Sequence, residues 1–155
     1  MISQTARHIH TTPKSREIPD LLQAIFVAEL MWPSKCIWIV SPWISDIPVV
    51  DNSAAGFSAL EPDWPKDWIR FSQLIRFLVQ KGTTVRVATR PVEHNLSFIE
   101  AMKNIGNKRV TVTKAEDLHE KGVLGDTYYL SGSMNFTFNG ITVYEEAVTF
   151  STDSR

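Results

Sequence analysis

The segment Cys36–Ser41, with the sequence CIWIVS, constrains the fold of this chain most strongly. It is a continuous apolar run rich in β-branched residues, which is typical of a strand buried in the middle of a sheet. Apolar residues at helical spacing precede it over Ile18–Trp32, and Pro33 and Pro42 bound the strand on either side. A buried strand that follows an amphipathic helix predicts an α/β fold built around a central sheet.

The rest of the chain continues to alternate between the two periodicities, so the sequence predicts an α/β sandwich with a mixed β-sheet flanked by helices. We expect one domain over residues 1–155, in which residues 1–16 form a polar N-terminal arm and residues 42–65 a long loop. The further predicted helices are Asp67–Lys81, Glu93–Ile105 and Asn135–Gly140; the further strands are Thr84–Thr89, Arg109–Thr113 and Val143–Phe150, with a hairpin of Gly122–Leu124 and Thr127–Leu130.

Composition excludes several classes of protein. The 155 residues include one cysteine, which rules out an internal disulfide framework and a cysteine-rich zinc site. The net charge of −1 argues against nonspecific coating of nucleic acid, but residues 66–121 carry eleven Lys and Arg against six Asp and Glu. This basic middle segment is compatible with an anionic substrate, and an ordinary mixed surface is the alternative. Because the N-terminal sequence lacks the apolar core of a secretory signal, we expect a cytoplasmic protein without a membrane anchor.

The polar residues with the strongest functional signal lie in the segment LHEKGVLGDTYYLSGSMN, which begins at Leu118. His119 and Lys121 are two residues apart, so on an extended chain their side chains share one face, and Ser133 and Asn135 have the same relation. An imidazole, an ammonium and an amide that converge can bind a phosphate, because the ammonium supplies charge and the amide a donor. Imidazole is also a competent nucleophile.

Together with Asp126 and Gly132, these residues resemble the HKD signature of the phospholipase D superfamily, HxKxxxxDxxxxxxGSxN. The single copy is similar to the short, nuclease-like branch of that superfamily. The resemblance implies a phospholipase D-like α/β/α sandwich and a phosphodiester hydrolase that needs neither metal nor cofactor. It also implies that Asp126, although part of the catalytic signature, is more structural than chemical.

The resemblance assigns a role to each remaining residue of the signature. His119 would attack phosphorus and form a phosphohistidine, while a second histidine protonates the leaving group. Lys121 and Asn135 would bind the phosphate, and Ser133 would supply an orienting hydroxyl.

Three residues outside the signature complete the candidate site. Glu146 stands where the superfamily's downstream glutamate is expected to hold a catalytic histidine, but Tyr144 replaces the asparagine often found two residues before it. Trp43 and Asp46 follow the first buried strand, at the end where ligand sites of α/β proteins gather, so we expect them to contact substrate. For Trp43, packing within the loop is the alternative.

The reaction needs two histidines and the chain has one HxK motif, so the resemblance implies a homodimer with one shared active site, His119 facing His119. The first hypothesis is a nuclease acting on DNA. The alternatives are a phospholipase D or transphosphatidylase acting on lipids, and a DNA-binding subunit with little activity alone. In its overall size and in the sequence SPWISD at the end of the first buried strand, residues 41–46, the chain also resembles the DpdK-type proteins of bacterial clusters that put deazapurines into DNA. That resemblance implies partner proteins of a DNA-modification or phage-defence system.

Overall fold

The computed structural model of the chain describes residues 4–153. Within this range the chain forms nine strands and four α-helices. The strands are β1 (Gln4–His10), β2 (Cys36–Val40), β3 (Pro48–Asp51), β4 (Trp68–Arg70), β5 (Thr84–Thr89), β6 (Val110–Lys114), β7 (Gly122–Leu124), β8 (Tyr128–Gly132) and β9 (Ala147–Asp153). The helices are α1 (Glu17–Met31), α2 (Phe71–Gln80), α3 (Leu96–Asn104) and α4 (Phe138–Thr142), and a 3₁₀ turn (Glu93–Asn95) precedes α3.

Seven strands form one mixed sheet in the order β1-β9-β8-β7-β2-β5-β6. The strands β2, β5 and β6 are parallel, and β7 joins β2 antiparallel to start a meander through β8, β9 and β1. The predicted α/β class with a mixed sheet and flanking helices is therefore confirmed. We call the end of the sheet where β2, β5 and β8 finish and β7 begins the carboxyl edge, and the opposite end the amino edge.

The helices cover one face of this sheet. Ile37 and Ile39 of β2 point into a single buried core together with residues of all four helices. Phe71 of α2 lies at its centre, with its ring 5.3 Å from that of Phe26 in α1 and 5.7 Å from that of Phe98 in α3. Burial of such large apolar side chains is the main stabilising contribution to the fold.

The opposite face of the sheet is open at its middle. Trp38 of β2, Leu124 of β7 and Tyr129 of β8 are 40%, 44% and 47% exposed. These three residues surround an apolar cavity of about 430 Å³, which Lys121 also lines at the carboxyl edge. We call this surface the open face. We call residues 118–135 the HKD segment; its Leu124 and Tyr129, with Trp38 from the adjacent β2, therefore present large apolar side chains to solvent.

The small sheet of β3 and β4 differs from the sequence prediction. Residues 42–65 were expected to be a loop and Asp67–Lys81 a helix, but β3 lies within the former range and β4 starts the latter. Val50 pairs with Ile69, and both side chains are fully buried. The pairing lets two short segments, one of them starting at Pro48, bury apolar side chains that neither could bury alone.

The N-terminal arm also differs from its prediction, because β1 adds an edge strand to the large sheet by pairing with β9. The consecutive polar residues Arg7 and His8 place an exposed side chain on each face of β1, which suits an edge strand with both faces near water. The predicted helix at Asn135–Gly140 starts later, as α4, with Thr137 as its N-cap. None of the helices within residues 4–153 combines the length and apolar character needed to cross a membrane.

Candidate active site

Four chain segments meet at the carboxyl edge of the sheet. They are the loop after β2, the loop after β5, the approach to β7 and the segment after β8. The Gly132 amide donates to the Lys121 carbonyl at 3.3 Å, which joins the two halves of the HKD segment. The Ser45 amide donates to the Phe136 carbonyl at 2.9 Å, which joins the loop after β2 to the end of that segment.

A buried asparagine fixes the loops after β2 and β5 to each other. Asn95 is fully buried, and its amide nitrogen donates to the Pro42 carbonyl at 2.8 Å and to the Thr89 hydroxyl at 2.9 Å. Its side-chain oxygen accepts the Ile44 amide at 2.9 Å. Loss of this side chain would leave several buried polar groups unpaired, so Asn95 keeps the two loops in place beneath the carboxyl edge.

His119 lies exposed at this edge between two cations. Lys121 Nζ donates to the His119 carbonyl at 2.9 Å. Arg90, the residue that follows β5, donates through Nε to the Leu118 carbonyl at 2.8 Å, and its terminal nitrogen lies 3.0 Å from Nδ1 of His119. Neither cation makes an ion pair with a carboxylate among residues 4–153. Their positive charge is therefore available to an anion at His119.

The contact with Arg90 sets the tautomer of the His119 ring. A guanidinium only donates hydrogen bonds, so Nδ1 must accept, and the proton of the neutral ring then lies on Nε2. Sequence reasoning did not identify Arg90. Its position at the end of a parallel strand was the available signal, because polar residues at such ends converge on one edge.

Hydrogen bonds of the Asn135 and Ser133 side chains fix the C-terminal end of the HKD segment. Asn135 accepts the Trp43 amide through Oδ1 at 3.3 Å, which leaves its NH₂ group with no acceptor in the described part of the chain. The Ser133 hydroxyl donates to a carboxylate oxygen of Glu146 and accepts the Ala147 amide at 3.0 Å. The backbone of Glu146 is fixed in turn by Thr11, whose hydroxyl accepts its amide at 2.9 Å. Within residues 4–153 no hydrogen bond joins Glu146 to His119, so the carboxylate orients Ser133.

Gly132 is required by the close approach of β9. A Cβ atom at this position would collide with the Ala147 carbonyl oxygen and would lie 2.7 Å from Cα of Val148. Real side chains do not fit such a gap, so a glycine lets β8 and β9 stay paired up to Ser133.

Asp126 lies away from the other signature residues. It sits in the turn between β7 and β8 at the amino edge, where its carboxylate accepts the Lys35 amide at 2.8 Å and its own amide donates to the Ser34 hydroxyl at 3.0 Å. The three residues of β7, roughly 10 Å of strand, separate this turn from Lys121. Asp126 therefore has no contact with the site.

The spacing of the motif corrects one part of the resemblance. Five residues separate Asp126 from Gly132, one fewer than in the HKD pattern. Tyr129 to Ser131 of β8 pair regularly with β7, so the shortening is taken up at the turn.

Asp46 is not free to bind substrate in the way we expected. Its two carboxylate oxygens accept the Ser72 amide at 2.7 Å and the Ser72 hydroxyl at 2.8 Å. Ser72 lies in the first turn of α2, where a carboxylate satisfies amides that the helix leaves unpaired. Asp46 therefore anchors α2 to the loop after β2.

Trp43 lines a cavity of about 370 Å³ beside the HKD segment. Its ring centroid lies 5.5 Å from that of His94, edge to face, and Nε2 of His94 lies 2.9 Å from the Ser45 hydroxyl. We call this cavity the aromatic pocket; its wall includes Trp43, His94, Asn135, Phe138, Asn139 and Tyr144. The place of His94 in this wall depends on the fold of the loop after β2, where its partners Trp43 and Ser45 lie. No group of three or more His, Cys, Asp and Glu side chains that could hold a metal lies in the described ranges.

Comparison with known proteins shows which solved structures this fold is similar to. No family model matches the sequence, and no curated protein matches it. Among solved structures, the fold is similar to Nuc from Salmonella typhimurium, a phospholipase D family member, with a TM-score of 0.62 and 11% identity over 97% of this chain and 84% of that one. NucT from Helicobacter pylori gives a TM-score of 0.59 and 11% identity over 97% and 86%.

The phosphatidylserine synthase of Haemophilus influenzae Rd KW20 gives a TM-score of 0.61 and 14% identity, over 98% of this chain and 35% of that one. Structures of different length thus share the arrangement of strands and helices found here. The resemblance first seen in the HKD segment is confirmed at the level of the fold, and the chain has the fold of the phospholipase D family.

Proposed function

We propose that this protein is a phosphodiesterase that cleaves nucleic acid at His119 without a metal ion. The observation that carries the proposal is the exposed His119 at the carboxyl edge of a phospholipase D fold, with Arg90 on its imidazole and the Lys121 ammonium on its carbonyl oxygen. The cations would neutralise the non-bridging oxygens of a phosphodiester. The free NH₂ group of Asn135 would add a donor.

The first step is attack of Nε2 of His119 on phosphorus, which forms a P–N bond and breaks the P–O bond to the leaving group. Attack needs Nε2 without its proton, whereas the Arg90 contact keeps the proton there. A phosphate that draws Arg90 away frees Nδ1 to carry the proton instead, so Arg90 would couple substrate binding to activation of the nucleophile. The leaving oxygen takes a proton from a second histidine. Water then returns a proton to that histidine and attacks phosphorus, which forms a new P–O bond, breaks the P–N bond and releases the phosphate product.

The second histidine would be His119 of another copy of this chain. The open face supports such a homodimer, because Trp38, Leu124 and Tyr129 are exposed next to Lys121. Contact between two open faces would remove this apolar surface from water and would bring the two HKD segments to one interface.

Nucleic acid is the preferred substrate class because the basic middle segment, residues 66–121, supplies both Arg90 and Lys121. A matched pair of assays in a chelator tests this choice. We expect the wild type to cleave DNA and to leave phosphatidylcholine vesicles intact. Cleavage of lipid alone would favour the phospholipase hypothesis, and DNA binding without turnover would favour the DNA-binding subunit; either result contradicts the proposal.

A further inference from the structure

We infer that the aromatic pocket binds one unpaired nucleobase, next to the phosphate held at His119, so that the protein acts on single strands. The inference rests on the proposed function and adds the form of the substrate. It starts from the position of Asn135, whose side chain belongs to the HKD segment and also lines the pocket. A phosphate at the HKD segment would therefore place its neighbouring nucleoside at the pocket.

The pocket offers aromatic surfaces that the fold leaves unused. Trp43, Phe138 and Tyr144 are 41%, 60% and 57% exposed, although large aromatic side chains are usually well buried. All three line the same cavity. Clustered exposed aromatics beside a phosphate site are typical of surfaces on which bases stack.

The wall also carries polar groups that suit the edge of a base. Asn135 and Asn139 contribute amides, which have both donors and acceptors. His94 packs edge to face against Trp43 at 5.5 Å and contacts the Ser45 hydroxyl, which fixes the indole in the wall. An acyl chain would leave these polar groups unpaired, whereas a base can pair with them.

Single strands fit this pocket and duplexes do not. In a duplex the base faces are stacked and their pairing edges are occupied, so neither is available to aromatic rings or amides. The cavity volume of about 370 Å³ fits one small planar ligand rather than a helix.

The test uses the His119→Ala chain, so that the probe is bound without being cut, and measures fluorescence anisotropy of a labelled single-stranded DNA. Adding Trp43→Ala should weaken binding about tenfold, whereas Trp43→Phe, which keeps an aromatic face, should stay within about threefold of the parent. Trp32→Ala is the matched control, since Trp32 is 85% exposed at the end of α1 and lies outside the pocket. It should bind like the parent.

A second experiment changes the DNA instead of the protein, by removing the bases from the single strand. Abasic single strands should bind the parent about tenfold more weakly than the intact strand, and duplex DNA should also bind more weakly. Equal binding by the Trp43→Ala chain and the parent, or equal binding of abasic and intact strands, would contradict base binding in the aromatic pocket and leave the proposed function untouched. If the parent and the Trp32→Ala control both fail to bind any DNA, the nucleic-acid substrate itself is contradicted.

Discussion

The two ends of the β7–β8 hairpin carry residues of the same motif in opposite chemical situations. At the amino edge, Ser34 donates to both oxygens of the buried Glu29 carboxylate, at 2.7 and 2.6 Å, and accepts from Asp126. At the carboxyl edge, Arg90 and Lys121 make no ion pair within residues 4–153 and contact the Leu118 carbonyl, the His119 ring and the His119 carbonyl. Satisfied polar groups hold a fold together, while exposed cations without carboxylates are suited to an anionic ligand.

The motif is therefore divided between architecture and chemistry. Asp126 belongs to the end that joins β2 to the hairpin, and His119 belongs to the end where the loops meet. Substitutions at the carboxyl edge should change activity with little change in stability, and those at the amino edge should do the reverse.

Apart from replacement of His119 itself, Lys121→Ala should give the largest effect among the variants at the two ends. Removing a cation that stabilises the transition state should lower kcat by about 10²- to 10³-fold, while the free energy of unfolding changes little because the ammonium lies at the surface. Steady-state hydrolysis and urea unfolding of the same preparation measure the two quantities. A large loss of stability would show that Lys121 belongs to the architectural part of the motif.

Arg90→Ala should lower kcat/KM by about 10²-fold, because it removes both a phosphate ligand and the partner of Nδ1 of His119. Arg109→Ala serves as its control, since Arg109 precedes β6 at the amino edge and donates to the Gly82 carbonyl at 3.0 Å. Equal activity of the two variants would remove Arg90 from the proposed site.

Asp126→Ala should lower the free energy of unfolding by about 1 kcal/mol, through loss of the hydrogen bond from the Lys35 amide. Activity per folded molecule should be retained, because the turn lies at the other end of the hairpin. Urea unfolding together with an active-fraction assay separates the two effects. A variant that is stable but inactive would place Asp126 in the chemistry after all.

Among these variants, Tyr128→Phe should change the stability least near neutral pH. The Tyr128 hydroxyl is buried and has no hydrogen-bond partner among residues 4–153, and burial, with the nearby Glu29 carboxylate as the next cause, raises its pKa above the usual value. Above about pH 10 the unfolded chain ionises this group and the folded chain does not, so stability should fall as the pH rises past that point.

Tyr128→Phe should therefore match the wild type in stability at pH 7, within about 1 kcal/mol, and lose less of it above about pH 10. Thermal unfolding followed from pH 7 to pH 11 measures both. An identical alkaline loss in the two proteins would show that another group is responsible.

Local patterns predicted the elements that form largely by themselves. Helix α1 and strands β2 and β5 agree with the sequence within a residue or two, because each has a clear period and a proline or glycine at its end. The small sheet escaped prediction because β3 and β4 depend on each other, through the pairing of Val50 with Ile69.

The candidate site shows the same division. The order of residues in the HKD segment predicted that the side chains of His119 and Lys121 share one face, and the structure places the Lys121 ammonium 2.9 Å from the His119 carbonyl oxygen. Asp46 was expected to contact substrate because of its place after β2. Its carboxylate instead accepts the Ser72 amide, a contact that depends on how the loop between β2 and α2 folds. Arg90 was missed because its partners, Leu118 and His119, reach it only where the segment before β7 meets the end of β5. His94 was missed because its partners, Trp43 and Ser45, reach it only when the loops after β2 and β5 come together around Asn95.

The central claim is that two copies of His119 carry out phosphodiester cleavage at one shared site. Hydrolysis of bis(4-nitrophenyl) phosphate in excess chelator, compared between the wild type and His119→Ala with the solution mass of each, tests it most directly. We predict a mass twice the 17.6 kDa of one chain for both proteins, and a rate at least about 10³-fold lower for the variant. A monomeric wild type that is active, or a variant that is as active as the wild type, would contradict the claim.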